Sequence, residues 1–131
     1  MFSQNVNPSH PITRGLPAQW AHPQDEVYYN MRGPAENITV LATAFSDSHT
    51  RGSGKDQPIL FTVDYGQGRV FHDMLGHDER AYRGLGYQTT LLRGTEWVAT
   101  GKVSFAPVSA AVLTSDKIAT REPNDVPTIT P

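Results

Sequence analysis

The sequence predicts one α/β domain in which β-hairpins are followed by a C-terminal helix. Two pairs of segments rich in β-branched and aromatic residues are each interrupted by turn-forming residues, a pattern typical of hairpins. Further along, apolar residues recur at the spacing of one helix face. A chain of 131 residues is long enough for one hydrophobic core and too short for two.

The first half of the chain predicts a lead-in, a hairpin and a loop. Residues 1–24 contain four prolines and few apolar positions, so we expect an irregular lead-in. Residues 27–31 and 38–45 carry strand-forming side chains, and the turn residues between them predict the first hairpin. Residues 46–57 are rich in serine, glycine and charge without periodicity, which predicts a solvated, mobile loop.

The second half predicts a hairpin, a helix and a tail. Residues 58–63 and 69–75 predict two strands, and the glycines between them favour a tight turn. Residues 82–100 predict a helix that stops at Gly101. The remaining residues predict a short strand at most, and we expect the last ten residues to be disordered.

Composition and charge exclude several classes of function. Eleven basic and thirteen acidic side chains give a net charge of −2, and no run of Lys or Arg could follow a phosphate backbone, so we expect no nucleic-acid partner. The absence of cysteine excludes disulfides and a thiolate nucleophile. The given chain shows neither a signal peptide nor a membrane-spanning segment. The compartment stays open, as does the choice between a monomer and a homo-oligomer.

His77 is the histidine whose context points most clearly to a site. It follows a predicted strand, and the preceding Gly76 lets the backbone approach a ligand closely. Imidazole is well suited to proton transfer or metal ligation near neutral pH. The alternative is a loop histidine that caps the next helix.

A second cluster lies just before the predicted strand at residue 27. An imidazole, two carboxylates and a phenol occur within seven residues, at His22, Asp25, Glu26 and Tyr28. In an extended chain the adjacent side chains of Asp25 and Glu26 point to opposite sides. We therefore expect one carboxylate to enter a pocket and the other to be solvated or to cap a turn.

Five segments in a fixed order resemble the signature blocks of the ThuA-like (trehalose utilisation) family. They cover roughly residues 7 to 103, and each is short enough to arise by chance alone, but their order is specific. The blocks are HPI and GLP at residues 10–17, His22 with DEVY at 25–28, VLATA at 40–44, YGQGRVF with LGH at 65–77, and LRGTEW at 92–97.

The resemblance implies a flavodoxin-like three-layer fold, similar to the class I glutamine amidotransferases, with a mostly parallel sheet between helices. Because that fold begins with βα units that this sequence lacks, residues 1–103 resemble a C-terminal half domain, and residues 104–131 form a tail. We therefore expect one apolar sheet face to be left uncovered. Thiolate-dependent glutamine hydrolysis is excluded by the absence of cysteine.

The resemblance also implies a carbohydrate ligand, such as a disaccharide or keto-sugar, and a set of site roles. His77, Glu26 and Asp25 would perform acid-base chemistry, while His22, Tyr28, Tyr65 and Arg69 would bind the sugar. Alternatively, His22 and His77 would hold a divalent metal such as zinc. The implied activity is that of a sugar-processing hydrolase, lyase or isomerase. Two alternatives remain open, a non-catalytic carbohydrate-binding or interaction module and an inactive fragment.

Overall fold

The computed structural model describes residues 2–33 and 35–122 of the chain. Within them, one five-stranded sheet has the order β2-β1-β3-β4-β5, and every pairing is antiparallel. The mostly parallel sheet that the resemblance implied is therefore wrong for the described residues. No helix among these residues has both the length and the apolar character that a membrane crossing requires. The elements are β1 (Phe2–Asn5), β2 (Gln19–Ala21), β3 (Ile38–Ser46), β4 (Lys55–Tyr65), β5 (Gly68–Asp73), α1 (Glu79–Tyr82) and α2 (Leu85–Thr100).

The second predicted hairpin and the predicted helix are confirmed. Strands β4 and β5 pair on either side of a two-residue turn, in which Gly66 has a φ of 57°. Helix α2 ends at Thr100 and is capped by Gly101, whose positive φ of 76° allows its amide to bond the carbonyl of Trp97. The first turn of the predicted helix is separate, because Gly84 leaves the helical conformation between α1 and α2.

The first predicted hairpin is wrong, and so is the irregular lead-in. Residues 27–31 form no strand, and Asn30 in that segment has a left-handed φ of 57°. Strand β3 pairs instead with β1 and β4, and β1 also pairs with β2. Prolines of the lead-in lie between or after β1 and β2 rather than within them, so they do not interrupt the ladder.

The loop expected at residues 46–57 is partly regular. A 3-10 helix spans Ser48–Thr50, and the carboxylate of Asp47 accepts the amide of His49 at 2.8 Å. Strand β4 already begins at Lys55. Local capping by Asp47 and pairing with β3 give this polar segment a defined conformation, although its composition is typical of a solvated loop.

Helix α2 packs closely on the sheet because two glycines face it. A side chain at Gly94 would place Cβ 2.0 Å from the ring of Phe71, and at Gly86 it would meet the indole of Trp20 at 2.5 Å. These contacts help to close a core contributed by strands, the lead-in and the tail. The largest fully buried apolar side chains are Trp20, Ile12, Leu41, Ile59, Leu60 and Leu113.

The buried guanidinium of Arg93 fixes the lead-in to α2. It donates to the carbonyls of Ile12 at 2.7 Å, Phe105 at 2.6 Å, and Pro11 and Arg14 at 2.8 Å each. Burial lowers the pKa of Arg93, as does the positive charge of Arg14. The side chain therefore joins the segment between β1 and β2 to the segment after α2 through backbone acceptors.

The opposite face of β4 and β5 is apolar and only partly covered. Side chains alternate along a strand, so residues that neighbour Phe71 point away from α2. This second face carries cross-strand neighbours that are half-buried or exposed, namely Ile38, Val40, Phe61, Val63, Val70 and His72. It agrees with the expectation of an uncovered apolar face for the described residues.

The described part of the predicted tail is attached to the domain. Leu113 is fully buried, and the amide of Ala21 donates to the carbonyl of Thr114 at 2.7 Å. The amide of Leu85 likewise donates to the carbonyl of Ala119 at 2.9 Å. Of the last ten residues, only Glu122 is described, so the expected disorder falls outside the described residues. The division into residues 1–103 and 104–131 stays a prediction.

Candidate functional site

His22 and Asp25 form a buried polar pair at the end of β2. Nε2 of His22 lies 2.8 Å from Oδ2 of Asp25, and both side chains have no exposed surface. Gly84 lies against the His22 ring, since an added Cβ would approach it to 3.0 Å. The pair is therefore enclosed by the chain on the side of α2.

The Asp25 carboxylate joins this segment to the loop that follows β5. It accepts the amide of Gly76 at 2.7 Å, that of His77 at 3.1 Å and that of Glu26 at 2.9 Å. Burial raises the pKa of Asp25, but the hydrogen bonds from His22 and the three amides outweigh this effect and bring it to about 2. Asp25 is thus an ionised carboxylate surrounded by hydrogen-bond donors.

This position differs from the direct acid-base role expected of Asp25 and the ligand-binding role expected of His22. Neither side chain presents exposed surface to a sugar. The adjacent carboxylates do point apart, as expected for an extended chain, with Asp25 inside and Glu26 outside. The structure places the His22–Asp25 pair beneath the surface cluster, where it holds the backbone of His77.

His77, Glu26 and Tyr28 form the surface cluster. Nδ1 of His77 lies 3.4 Å from Oε2 of Glu26, and the two side chains are 51% and 52% exposed. The neighbouring carboxylate of Glu26 raises the pKa of the Tyr28 phenol, with burial and the charge of Asp25 adding to the effect. An imidazole, a carboxylate and a phenol therefore meet at one exposed point.

The backbone around His77 is constrained on both sides. Gly76 has a φ of 100°, and a Cβ there would come within 2.9 Å of the Tyr87 ring, so the position favours glycine. On the other side, Asp78 rather than His77 caps α1 by accepting the amide of Ala81 at 3.1 Å. The alternative interpretation of His77 as a helix cap does not match this geometry.

Tyr65 and Arg69 are not brought to the cluster. They lie at the turn end of the β4–β5 hairpin, and Arg69 is about 13 Å along β5 from Asp73 by strand rise. Nε of Arg69 donates to the carbonyl of Trp97 at 3.1 Å, so this side chain caps the end of α2. Tyr65 is 79% exposed beside the turn. Their expected place at the mouth of the site is not observed.

The metal alternative lacks a ligand set. Among residues 2–33 and 35–122, no three or more histidine, aspartate or glutamate side chains are grouped as metal ligands. His22 directs Nε2 to Asp25, and His77 directs Nδ1 to Glu26. These residues do not fit the divalent metal that the sequence left open.

Sequence reasoning missed Asp73, a partly buried carboxyl at the end of β5. Burial raises its pKa to about 7, although hydrogen bonds from the amide of Leu75 and the hydroxyl of Thr90 lower it, and the charge of Asp25 raises it further. A carboxyl in a strand whose other side chains are mainly apolar was the available signal. Asp73 lies under α2 and contributes no side chain to the exposed cluster.

Residues 2–98 match the ThuA family, described as trehalose utilisation. The chain belongs to the ThuA family. The resemblance of the sequence blocks is thereby confirmed. The comparison with curated proteins finds no match.

A crystal structure of a ThuA-like protein from Parabacteroides merdae is similar to this ThuA chain. The two sequences are 45% identical and superpose with a TM-score of 0.84. The similarity covers 92% of this chain but only 45% of the other one. This ThuA chain therefore spans less than half the length of that relative.

Proposed function

We propose that this ThuA chain acts on a carbohydrate at the His77–Glu26–Tyr28 cluster by acid-base chemistry. The observation that carries the proposal is the contact between His77 and Glu26 in the exposed loop after β5, with the phenol of Tyr28 beside the same carboxylate. Family membership supports the substrate class, since the family is described by trehalose utilisation. The complete fold that we propose is the flavodoxin-like architecture of the class I glutamine amidotransferases.

The roles follow from the geometry. With Nδ1 of His77 directed at Glu26, the carboxylate orients the ring. Nε2 then takes a proton from a sugar carbon next to a keto group, and the electron pair of the C–H bond moves to the carbonyl oxygen. The hydroxyl of Tyr28, which has a single proton, turns from Glu26 to donate a hydrogen bond to that oxygen. Return of the proton to the carbon, or loss of a leaving group, completes the reaction.

A non-catalytic carbohydrate-binding module is the second candidate. The observation that favours it is the exposure of the cluster, because His77 and Glu26 are both about half exposed and water reaches them. Acid-base catalysis gains from the exclusion of water, whereas binding through tyrosine and hydrogen bonds tolerates it.

The test compares His77→Ala and Glu26→Gln with the unaltered chain. Turnover of a 3-keto disaccharide should fall by at least about 10²-fold in both variants. The free energy of unfolding should change by less than about 1 kcal/mol, because both side chains are exposed. His49→Ala is the matched control, since Nδ1 of His49 lies 3.0 Å from Asp47 in another exposed pair.

Three outcomes separate the candidates. Loss of turnover in the two site variants and not in His49→Ala supports acid-base catalysis. Unchanged turnover with a large loss of stability would assign His77 to structure. Sugar binding without turnover in the unaltered chain would favour the binding module.

A further inference from the structure

A cleft of about 590 Å³ adjoins the surface cluster and contains Tyr28 in its wall. It lies between the irregular segment after Val27 and the first residues of β4. Its size falls within the range of small-molecule sites, roughly 300–1,000 Å³. The lining residues that matter here are Tyr28, Tyr29, Ser53, Lys55, Gln57 and Met74.

Two observations relate the cleft to the site. Tyr28 lines the cleft, and the neighbouring Glu26 carboxylate raises the pKa of its phenol. Met74 lines the same cleft and precedes His77 by three residues in the chain. The cleft therefore shares Tyr28 with the surface cluster.

The cleft walls are held by hydrogen bonds before any ligand arrives. The hydroxyl of Tyr29 donates to the carbonyl of Arg51 at 2.8 Å. Nε2 of Gln57 donates to the hydroxyl of Ser53 at 2.9 Å, which leaves the amide oxygen of Gln57 as an acceptor. Fixed side chains lose less entropy when a ligand binds, so these bonds favour recognition.

The chemistry of the lining suits a sugar ring. Two tyrosines offer aromatic faces for the C–H groups of a pyranose, while Gln57 and Lys55 offer an acceptor and a cationic donor for its hydroxyls. The described lining contains one cation, Lys55, and no carboxylate. A second cleft of about 610 Å³ lies on the other side of Tyr29, but Tyr28 does not line it.

We propose that the Tyr28–Tyr29 cleft is a subsite for one sugar ring of the substrate, with Gln57 and Lys55 binding its hydroxyls. The inference rests on the proposed function, because it places the neighbouring ring at His77 and Glu26. It assigns a binding role to Tyr29, Lys55 and Gln57. It also makes a two-ring sugar the natural substrate.

The test measures trehalose binding to the full chain by NMR titration. Trehalose should shift the side-chain amide signals of Gln57 and the backbone amides around Lys55. Gln57→Ala and Lys55→Ala should each raise the Kd at least about 5-fold, which is the loss of one hydrogen bond. Gln19→Ala, in the second cleft, is the matched control and should bind trehalose like the unaltered chain.

The proposal and the function on which it rests fail separately. If both cleft variants bind trehalose normally, or if trehalose shifts signals only outside the cleft or none at all, the subsite is refuted. His77→Ala should retain trehalose binding. Loss of binding in the cleft variants, together with normal turnover in His77→Ala, would preserve the subsite and refute the acid-base proposal.

Discussion

Replacing Asp25 by asparagine should destabilise the fold strongly, although aspartate side chains are mostly exposed in proteins. The carboxylate is fully buried and accepts bonds from the ring of His22 and three backbone amides. An asparagine would replace one carboxylate oxygen by an NH2 group, so the donors that this oxygen accepted would lose their acceptor. Removing one partner from a buried charged network costs about 3–5 kcal/mol.

The pH dependence provides an independent measure of the same interaction. The pKa of Asp25 is lowered from 3.8 to about 2, which corresponds to about 2 kcal/mol of stabilisation by the ionised form. Because the folded-state pKa is lower than the unfolded one, this stabilisation is present above pH 3.8 and is lost as the pH falls toward 2. Asp25→Asn should lack that loss.

Urea unfolding at pH 7 and between pH 2 and 5 tests both statements. The neighbouring Glu26→Gln is the control, since Glu26 is half exposed and should change the free energy of unfolding by less than about 0.5 kcal/mol. Hydrogen exchange should also accelerate at the amides of Gly76 and His77 in Asp25→Asn. A loss below about 1 kcal/mol, with an unchanged acid limb, would refute the positioning role.

Two further predictions concern the underside of α2. The pKa of Asp73 is raised from 3.8 to about 7, so ionisation of Asp73 should destabilise the fold as the pH rises from 3.8 through 7. Because a cleft brings water to this carboxyl, we expect the free energy of unfolding to fall by roughly 1–3 kcal/mol. Asp73→Asn should abolish this loss in denaturation curves at pH 5 and 8, and an unchanged slope would contradict the assignment. Gly94→Ala should lower the free energy of unfolding by about 2 kcal/mol, because the added Cβ would collide with the ring of Phe71. This cost outweighs the gain of about 1 kcal/mol in helix propensity. A higher melting temperature of the variant would contradict that packing.

The sequence predicted the elements whose pairing is local. Strands β4 and β5 are joined by a turn at Gly66, so their hairpin could be inferred from adjacent residues. Strands β1 and β2 have four and three residues, which is too short to show alternation. Their pairing with each other and with β3 depends on contacts between distant segments. That dependence explains why residues 27–31, which have strand-forming side chains, form no strand.

The same division applies to the candidate site. The sequence was sufficient to select His77, because it follows a predicted strand and a glycine. It was also sufficient to select Glu26 and Tyr28, because they belong to the cluster of residues 22–28. The sequence could not decide which adjacent carboxylate turns inward, because Asp25 is held by the amide of Gly76, 51 residues away. It also could not separate Arg69 from the site, since the helix carbonyls that bind Arg69 lie in another part of the chain.

The contacts of Arg93 have a consequence for sequence variation. Every acceptor that the guanidinium uses is a backbone carbonyl, so its recognition of the lead-in does not depend on side-chain identity. Substitution of the exposed side chain of Arg14 would therefore leave that attachment intact. Lysine at position 93 could not reproduce the planar set of donors. The exposed side chains of the lead-in can thus vary while Arg93 of α2 keeps its backbone in the same place.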